Sequence, residues 1–308
     1  MLICIGEILV DIFDDGNTKT ALPGGAPFNV ACNASLYTKE VGFIGAVGND
    51  DYGRLLLNTA KEKQLKFAKI KVLDNYYTSK AIVTLDKGER SFRFDRDEGA
   101  DYRLDVSDVD ISNIKDEDIV HIGSLMLSEQ CGRDFFNQLI DEIRAHSKAK
   151  ISFDINYRDD IFSSPESAKK IFIDALKKAD ILKFSEDEIK LLSNKDDVKE
   201  GLDSLLNDNQ IAVVTLGSKG SMLYKAGEVI SVPTYPVKPV DTTGAGDAFY
   251  SYFLATLVNH RDFINNKEEV IKYLTRANVA GGLCTLKKGA INSAPNEREI
   301  EDFLLKQE

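Results

Sequence analysis

Residues 239–258 read PVDTTGAGDAFYSYFLATLV, which combines an extended segment, a glycine-rich turn and a long apolar run. The apolar run predicts a buried helix. Gly244 and Gly246 allow the backbone amides of residues 244–247 to point at one spot, and amides that converge at a helix N-terminus form an anion site. The stretch therefore predicts a glycine turn that binds an anion at the start of a helix.

Asp247 stands at the mouth of this predicted anion site. A carboxylate is a poor phosphate ligand there, because the two negative charges repel each other. It suits a general base that takes a proton from an attacking hydroxyl while the amides hold charge on the transferring group, as in phosphoryl transfer. The alternative is that Asp247 caps the helix and the glycines only allow close packing.

Strand-like and helical segments alternate along most of the 308 residues. Helical spacing is found, for example, at residues 51–65 and 131–147. This alternation predicts an α/β fold with a mostly parallel sheet that helices cover on both faces. The predicted strands of that sheet are residues 2–8, 41–48, 118–126, 150–156, 181–185 and 211–217.

Residues 79–96, SKAIVTLDKGERSFRFDR, interrupt this alternation. They are typical of two alternating strands around a DKGE turn, which is a β-hairpin. No helix is available to cover such a hairpin, so we expect a small flap beside the main body. Residues 11–22 are expected to supply more strands to the same flap. We therefore expect a single domain over residues 1–308 with the flap inserted in it.

Composition limits the classes of protein to which the chain can belong. Because the formal net charge is −11, we expect no binding to nucleic acid or to an anionic membrane surface. Four cysteines without paired spacing indicate reduced thiols in the cytoplasm. The N-terminal run MLICIGEILVDIF contains two acids and no basic leader, so we interpret it as a buried strand rather than a signal peptide.

Several other catalytic signatures are absent from the sequence. It has no GxxxxGK[ST] loop, no GxGxxG after the first strand and no GxSxG, which disfavours a P-loop NTPase, a dinucleotide-binding fold and a hydrolase of the nucleophile-elbow type. The three histidines, His121, His146 and His260, show no metal-ligand or triad spacing. His121 lies in an apolar run and is interpreted as a packed residue.

Two further glycine loops are candidate ligand sites. In LPGGAPFNVA, residues 22–31, a glycine pair precedes a helix whose first turn contains Asn29, a combination that suits a polyhydroxylated ligand. The alternative is a tight turn into a packed helix. TLGSKG, residues 215–220, follows a strand at the end where ligands of open α/β sheets bind.

Together these stretches resemble the ribokinase family of sugar kinases, also called PfkB-type. GGAPFNVA and VGFIGAVGNDDYG resemble its N-terminal signature, and DTTGAGDAFYSYF resembles its C-terminal signature. TLGSKG and KKGA resemble its nucleotide-side loops, and the order and spacing match over essentially the whole chain. The resemblance implies a three-layer αβα sandwich with a small β-sheet lid, which fits the predicted flap.

The resemblance also implies roles for individual residues. Asp247 would be the catalytic base and contact the sugar, with Gly244, Ala245 and Gly246 as the anion hole. ATP would supply the phosphoryl group together with Mg²⁺. The positions that match sugar contacts are Asp11, Gly24, Gly25 and Asn29. The positions that match nucleotide contacts are Thr215, Gly217, Gly220, Gly246 and Asn278.

One motif departs from the family pattern. Near the metal and phosphates the family often has Asn-x-x-Glu, whereas KFSEDEIKLL here puts Ser185 at the Asn position and keeps Glu188. Serine still offers an oxygen, so we expect both residues on the nucleotide side, with Glu188 holding Mg²⁺ through water. The family also often binds a monovalent cation, commonly K⁺, beneath the anion hole. The matching positions are Asp241, Thr243, Cys284, Lys287, Gly289 and Ser293.

Within the family, GGAPFNVA, FDRDEGAD and FDINYR are most similar to fructokinases. Arg96 and Arg158 match positions that reach the sugar there. Relatives that phosphorylate 2-keto-3-deoxygluconate use matching arginines to grip a carboxylate. Fructose is therefore the first predicted substrate, 2-keto-3-deoxygluconate the second, and ribose or a nucleoside the third. The alternative for both arginines is pairing with nearby surface acids.

A protein of another class is also consistent with the fold: an inactive sugar-binding or regulatory protein. We would expect such a protein to lack the catalytic base, whereas Asp247 is present here. Lids of this family often pair between subunits. Because the predicted hairpin alternates and leaves one face bare, we expect a homodimer through the lid.

Overall fold

The computed structural model describes residues 1–14, 18–86 and 89–307. Two separate β-sheets are present in these residues. The strands are β1 (Leu2–Ile5), β2 (Leu9–Asp14), β3 (Lys19–Gly24), β4 (Val41–Gly48), β5 (Phe67–Leu73), β6 (Lys80–Asp86), β7 (Glu89–Asp95), β8 (Ile119–Ile122), β9 (Lys150–Asp154), β10 (Ile181–Ser185), β11 (Ile211–Thr215), β12 (Ser221–Lys225) and β13 (Glu228–Val232). The helices are α1 (Ala26–Ala34), α2 (Asp51–Glu62), α3 (Gln130–His146), α4 (Pro165–Leu176), α5 (Glu186–Ser193), α6 (Val198–Leu205), α7 (Ala245–Asn259), α8 (Lys267–Cys284) and α9 (Glu297–Leu304).

The large sheet has the strand order β13-β12-β11-β10-β9-β8-β1-β4-β5. From β11 to β5 every neighbouring pair is parallel, and β12 and β13 add an antiparallel edge. The predicted α/β fold with a mostly parallel sheet is therefore confirmed. A parallel order carries every strand from β11 to β5 out of the sheet at the same edge, so the loops that follow them meet there.

Helices cover both faces of this sheet, because its strands are apolar on both sides. In β1, Ile3 and Ile5 belong to a core shared with α3, α4, α5 and α6, whereas Leu2 and Cys4 belong to a core shared with α1, α2, α7, α8 and α9. The layers are therefore helix, sheet and helix. Among the described residues, no helix combines the length and apolar character needed to cross a lipid bilayer.

The second sheet forms the predicted flap, which we call the lid. Its order is β3-β2-β6-β7, with β2 and β6 parallel and the other two pairs antiparallel. The strands extend slightly beyond the predicted segment 11–22, since they begin at Leu9 and end at Gly24. The predicted hairpin of 79–96 is present as β6 and β7, while residues 87 and 88 of its DKGE turn lie outside the described residues.

The strand predicted over residues 2–8 is present, but its predicted end was wrong. β1 ends at Ile5, and the chain enters the lid at Leu9. Gly6 between them has φ +144°, and a Cβ there would approach Gly123 to 3.0 Å and Pro27 to 3.1 Å. The predicted strands 118–126, 150–156 and 211–217 also end early, at residues 122, 154 and 215, because their last residues form loops at the carboxyl edge.

Glu7 lies in this crossing between the two sheets and is fully buried. Neither carboxylate oxygen has a well-aligned hydrogen-bond partner in the described part of the chain. Burial raises the pKa of Glu7 to about 8, although the backbone amide of Glu7 and the charge of Arg96 oppose the shift. A folded-state pKa above the unfolded value means that the folded protein loses stability as the pH rises from about 4.5 to about 8.

We expect Glu7→Gln to remove this pH dependence. Raising the pH from 5.5 to 8 should lower the free energy of unfolding of the wild type by about 3 kcal/mol more than that of the variant. Urea unfolding at the two pH values measures the difference. The exposed Glu62→Gln serves as the control. Equal pH dependence in wild type and Glu7→Gln would show that Glu7 does not hold its proton in the folded state.

Candidate active site

The glycine turn of residues 241–244 ends at the N-terminus of α7. Gly244 is the N-cap with φ +78°, and no side chain caps the helix. The amide of Ala245 donates to the carbonyl of Thr242 at 3.3 Å. Among the described residues, the amides of Gly244, Gly246 and Asp247 donate to no protein acceptor. Three open N–H groups at one helix end form the kind of site that the sequence predicts for an anion.

Asp247 is the third residue of α7, and its carboxylate faces α1 rather than its own helix. Its Oδ2 accepts a hydrogen bond from Asn29 Nδ2 at 2.8 Å. Asn29 is held in the first turn of α1, where its backbone N–H donates to the carbonyl of Gly25 at 2.7 Å. The structure thus contradicts the alternative in which Asp247 serves as a helix cap.

Asp247 lies close enough to Asp11 of the lid strand β2 for the two carboxylates to interact. Burial raises the pKa of Asp247, while the Asn29 hydrogen bond and the charges of Lys183 and Arg158 lower it. Burial, together with the negative charges of Asp247 and Asp241, raises the pKa of Asp11 to about 7, and Arg158 again opposes the shift. A carboxylate whose pKa is raised above its ordinary value suits proton transfer.

The glycine pair before α1 makes room for these side chains. A Cβ on Gly24 would lie 2.5 Å from Asp11 Oδ2, so Asp11 occupies the space that the glycine leaves. Gly25 has φ +102°, and a Cβ there would lie 2.5 Å from the carbonyl oxygen of Glu7. The pair therefore forms a tight turn and also admits Asp11. The buried Oδ1 of Asn29 has no hydrogen-bond partner in the described residues, which leaves an acceptor for a ligand hydroxyl.

Ser185 and Glu188 form a capping box at the start of α5. Glu188 Oε2 accepts from the amide of Ser185 at 2.7 Å, and Oε1 accepts from the amide of Tyr157 at 3.0 Å. Ser185 Oγ accepts from the amide of Glu188 at 3.3 Å. A carboxylate oxygen can accept more than one hydrogen bond, so Glu188 can still bind a metal-coordinated water.

The predicted nucleotide residues lie around the end of β11. Thr215 pairs in register with Ser185 of β10, which puts both at the carboxyl edge of the sheet. Gly217 and Gly220 have φ +59° and +106° in the following turn. The Asn278 side chain donates to the carbonyls of Val232 at 3.2 Å and Pro233 at 3.3 Å, so it fastens the segment that leaves β13.

Most of the predicted cation-site residues meet beneath the glycine turn. The buried Asp241 accepts from the amides of Thr243 at 3.0 Å and Gly289 at 3.1 Å. Ser293 Oγ donates to the carbonyl of Gly289 and lies 3.1 Å from Cys284 Sγ. The Lys287 side chain is exposed, so only its backbone is available to the site. Thr243 Oγ1 is buried and has no hydrogen-bond partner in the described residues, so it fits as an oxygen ligand.

The two arginines that were predicted to contact the sugar lie in different environments. Arg158 is half-buried beside Asp11 and Asp247, and its charge lowers the pKa of both. Arg96 is buried and forms an ion pair with the fully buried Asp101 at 2.6 Å. Its other donors bind the carbonyl of Leu125 at 3.1 Å and Ser128 Oγ at 2.8 Å. In the described part of the chain, neither arginine forms an ion pair with the four neighbouring acids at 95, 97, 159 and 160.

The model of the pfkB family carbohydrate kinases matches residues 1–297. The chain belongs to the pfkB family of carbohydrate kinases. It is 32% identical to fructokinase-2 of Zea mays over 99% of this chain and 94% of the relative.

Solved structures of family members have the same fold. The fructokinase of Vibrio cholerae O395, bound to fructose, ADP and calcium, has a TM-score of 0.90 and 32% identity and covers 98% of each chain. A double mutant of the same enzyme was solved with fructose, ADP and a potassium ion, with a TM-score of 0.90 over 98% of this chain and 97% of that one. The Xylella fastidiosa fructokinase with bound ATP also has a TM-score of 0.90, at 27% identity over 99% and 98% of the two chains.

Sequence reasoning missed a buried ion pair at the centre of this carbohydrate kinase site. Lys183 in β10 binds both carboxylate oxygens of Asp154 in β9 at 2.9 Å. Both side chains are almost fully buried. The available signal was a charged residue beside apolar ones in each of two strands, at the end of KISFD and in the middle of ILKFS.

The turn at Gly244 supplies a test of the site geometry. A Cβ on Gly244 would overlap Ala290, whereas a Cβ on Gly227, with a similar φ of +80°, would meet nothing within 4 Å. We expect Gly227→Ala to lower the free energy of unfolding by about 1 kcal/mol, the cost of a left-handed residue. Gly244→Ala should lower it by about 3 kcal/mol, because overpacking adds to that cost. Urea unfolding measures both, and equal losses would contradict the packing of Ala290 against the turn.

Proposed function

We propose that this pfkB-family sugar kinase is an ATP-dependent fructokinase that transfers the γ-phosphoryl group of ATP to the hydroxyl on carbon six of fructose. The observation that carries the proposal is Asp247, bonded to Asn29 at 2.8 Å beside the open amides of α7. A carboxylate at that point can take a proton while the amides bind the phosphoryl oxygens. A sugar-binding protein without catalytic activity would need neither a base nor open amides for a phosphoryl group.

In the proposed reaction the sugar hydroxyl loses its proton to Asp247 as its oxygen attacks phosphorus. The open amides of residues 244, 246 and 247 hold charge on the transferring group. Asn29 orients the carboxylate through its hydrogen bond, and its free Oδ1 is available to a second sugar hydroxyl. Closure of the lid would exclude water, which would otherwise compete with the sugar for the phosphoryl group.

Two cations fit the donor groups of the site. Glu188 lies on the nucleotide side, and its carboxylate can hold Mg²⁺ through water; the metal would neutralise the phosphate charge. The unpartnered Thr243 Oγ1 and the backbone around Gly289 fit a monovalent cation under the anion hole. Such a cation would make the electrostatic potential below the open amides more positive. The Vibrio relative, solved with potassium, supports this assignment.

Fructose is favoured over a sugar acid by the environment of Arg96. Its guanidinium is neutralised by Asp101, and further donors bind Leu125 and Ser128. A residue so occupied is a poor carboxylate clamp, which needs two free parallel donors. Only Arg158 then remains beside the Asp11–Asp247 pair to meet a sugar. The Zea mays and Vibrio fructokinases support the same substrate.

The homodimer through the lid, the cytoplasmic location and the absence of nucleic acid or membrane binding stay predictions. β3 and β7 are the edge strands of the lid sheet in the described residues, and edge strands present backbone groups for pairing with a second copy.

The reaction and its base can be tested together by ADP release with ATP and Mg²⁺. We expect fructose to be used faster than 2-keto-3-deoxygluconate or ribose at equal concentration. Asp247→Asn should lower kcat about 10³-fold, because the base is lost, while the exposed Asp208→Asn leaves it unchanged. Because burial raises the pKa of Asp247, the decline of kcat/KM on acidification should begin at a pH above the ordinary pKa of an aspartate. Undiminished turnover by Asp247→Asn would remove the base from the mechanism.

The arginines provide a test of substrate choice. We expect Arg158→Met to raise the KM for fructose at least tenfold, since it removes the cation beside Asp11 and Asp247. Arg96→Met should mainly destabilise the fold, because it leaves Asp101 buried without its partner. Steady-state kinetics and thermal unfolding separate the two effects. A preference for 2-keto-3-deoxygluconate that both substitutions abolish would instead identify the arginines as a carboxylate clamp.

A further inference from the structure

Lys183 lies directly beneath the glycine turn, although it belongs to a sheet strand. It is the one lysine classed as buried among the described residues, with 6% of its surface exposed. A Cβ built on Gly246 would lie 3.4 Å from both Cε and Nζ of Lys183. Gly246 carries one of the open amides of α7. The ammonium group is therefore next to the predicted anion hole.

The hydrogen bonds of Lys183 leave one donor unused. Its Nζ binds Oδ1 and Oδ2 of Asp154 at 2.9 Å each, and the two residues are in register on neighbouring strands. An ammonium has three N–H donors. No other acceptor in the described part of the chain binds Nζ. A buried cation with a free donor beside open amides is suited to an anionic ligand.

The charge on Lys183 is maintained by its neighbours. Burial lowers the pKa of its ammonium, but the negative charges of Asp154, Glu188 and Asp247 outweigh burial and raise the pKa above its ordinary value. The charge of Lys183 in turn lowers the pKa of Asp247. Lys183 therefore favours the ionised form of the proposed base as well as any anion that binds above it.

A purely structural role explains this ion pair poorly. Burying two charges costs desolvation free energy, and the attraction between the charges often does not make up for that cost. A buried ion pair is therefore weak evidence for a stabilising role. Apart from Ser152, the other buried positions of β9 and β10 are apolar, and an apolar pair would join the two strands equally well. The position at the carboxyl edge, next to Gly246, points to the ligand site instead.

We propose that Lys183 is a catalytic residue whose ammonium binds the non-bridging oxygens of the phosphoryl group during transfer, and that Asp154 is the positioning residue that aims it. In this step the bond between the sugar oxygen and phosphorus forms, and the bond from phosphorus to the β,γ-bridging oxygen of ATP breaks. The proton of the sugar hydroxyl goes to Asp247, and Lys183 keeps its own protons. The inference rests on the proposed kinase function.

The experiment compares Lys183→Met with the double variant Lys183→Met/Asp154→Asn and with Asp154→Asn alone. The double variant leaves no unpaired buried charge, so it carries the test if Lys183→Met does not fold. Lys150→Met, an exposed lysine on the neighbouring strand, is the control. Circular dichroism and thermal unfolding identify the variants that keep the native fold.

We expect Lys183→Met and the double variant each to lower kcat by about 10²- to 10³-fold, the usual loss when one donor to a developing charge is removed. The KM for the sugar should stay within about threefold, because Lys183 does not contact the sugar. Asp154→Asn keeps the ammonium but loosens it, so its loss of kcat should be smaller. Recovery of wild-type kcat in the double variant would overturn the proposal, since Lys183 would then only neutralise Asp154.

Nucleotide binding supplies a readout that does not depend on which sugar is used. By isothermal titration calorimetry with Mg²⁺, Lys183→Met should bind the non-hydrolysable analogue AMP-PNP at least tenfold more weakly than the wild type, and ADP equally well. Asp154→Asn should weaken AMP-PNP binding in the same direction. Equal losses for AMP-PNP and ADP, or no loss, would contradict a contact with the γ-phosphoryl group. Failure of the wild type to phosphorylate fructose would overturn the proposed substrate and leave this comparison standing.

Discussion

The hydrogen bond from Asn29 to Asp247 joins the first turns of α1 and α7, and the site depends on keeping those two turns together. Both helices lie on the same face of the sheet and share one core. Each begins after a glycine with positive φ, Gly25 before α1 and Gly244 before α7. A side chain at either glycine would meet backbone or Ala290, so the two helix starts are fixed by close packing.

The charges of the site are arranged around this contact. Burial raises the pKa of both Asp11 and Asp247, and the negative charges of Asp247 and Asp241 raise that of Asp11 further. Two cations oppose these shifts: Arg158 lowers the pKa of both carboxylates, and Lys183, which lies next to Gly246, lowers that of Asp247. The negative net charge of the chain is thus offset locally by Arg158, Lys183 and the open helix amides.

The architecture and the position of Asp247 beside the glycine turn could be predicted from the sequence, whereas the partners of buried charges could not. Alternating apolar strands and amphipathic helices indicate a parallel sheet, and the hairpin of residues 79–96 indicates a lid. The point at which β1 ends was missed, because LICIGEI is apolar on both sides of the Gly6–Glu7 pair. Arg96 matched a sugar position, but its ion pair with Asp101 depends on the folding of the loop between them.

What the sequence determined by itself is local: a glycine turn before a helix, the carboxylate three residues into it and the period of each strand. These follow from neighbouring residues, whose conformational preferences act over a few positions. The tertiary structure alone decided that Asn29 meets Asp247, 218 positions away, and that Lys183 meets Asp154. Such contacts depend on strand order and register, which result from packing the whole core, so no short stretch of the chain contains them.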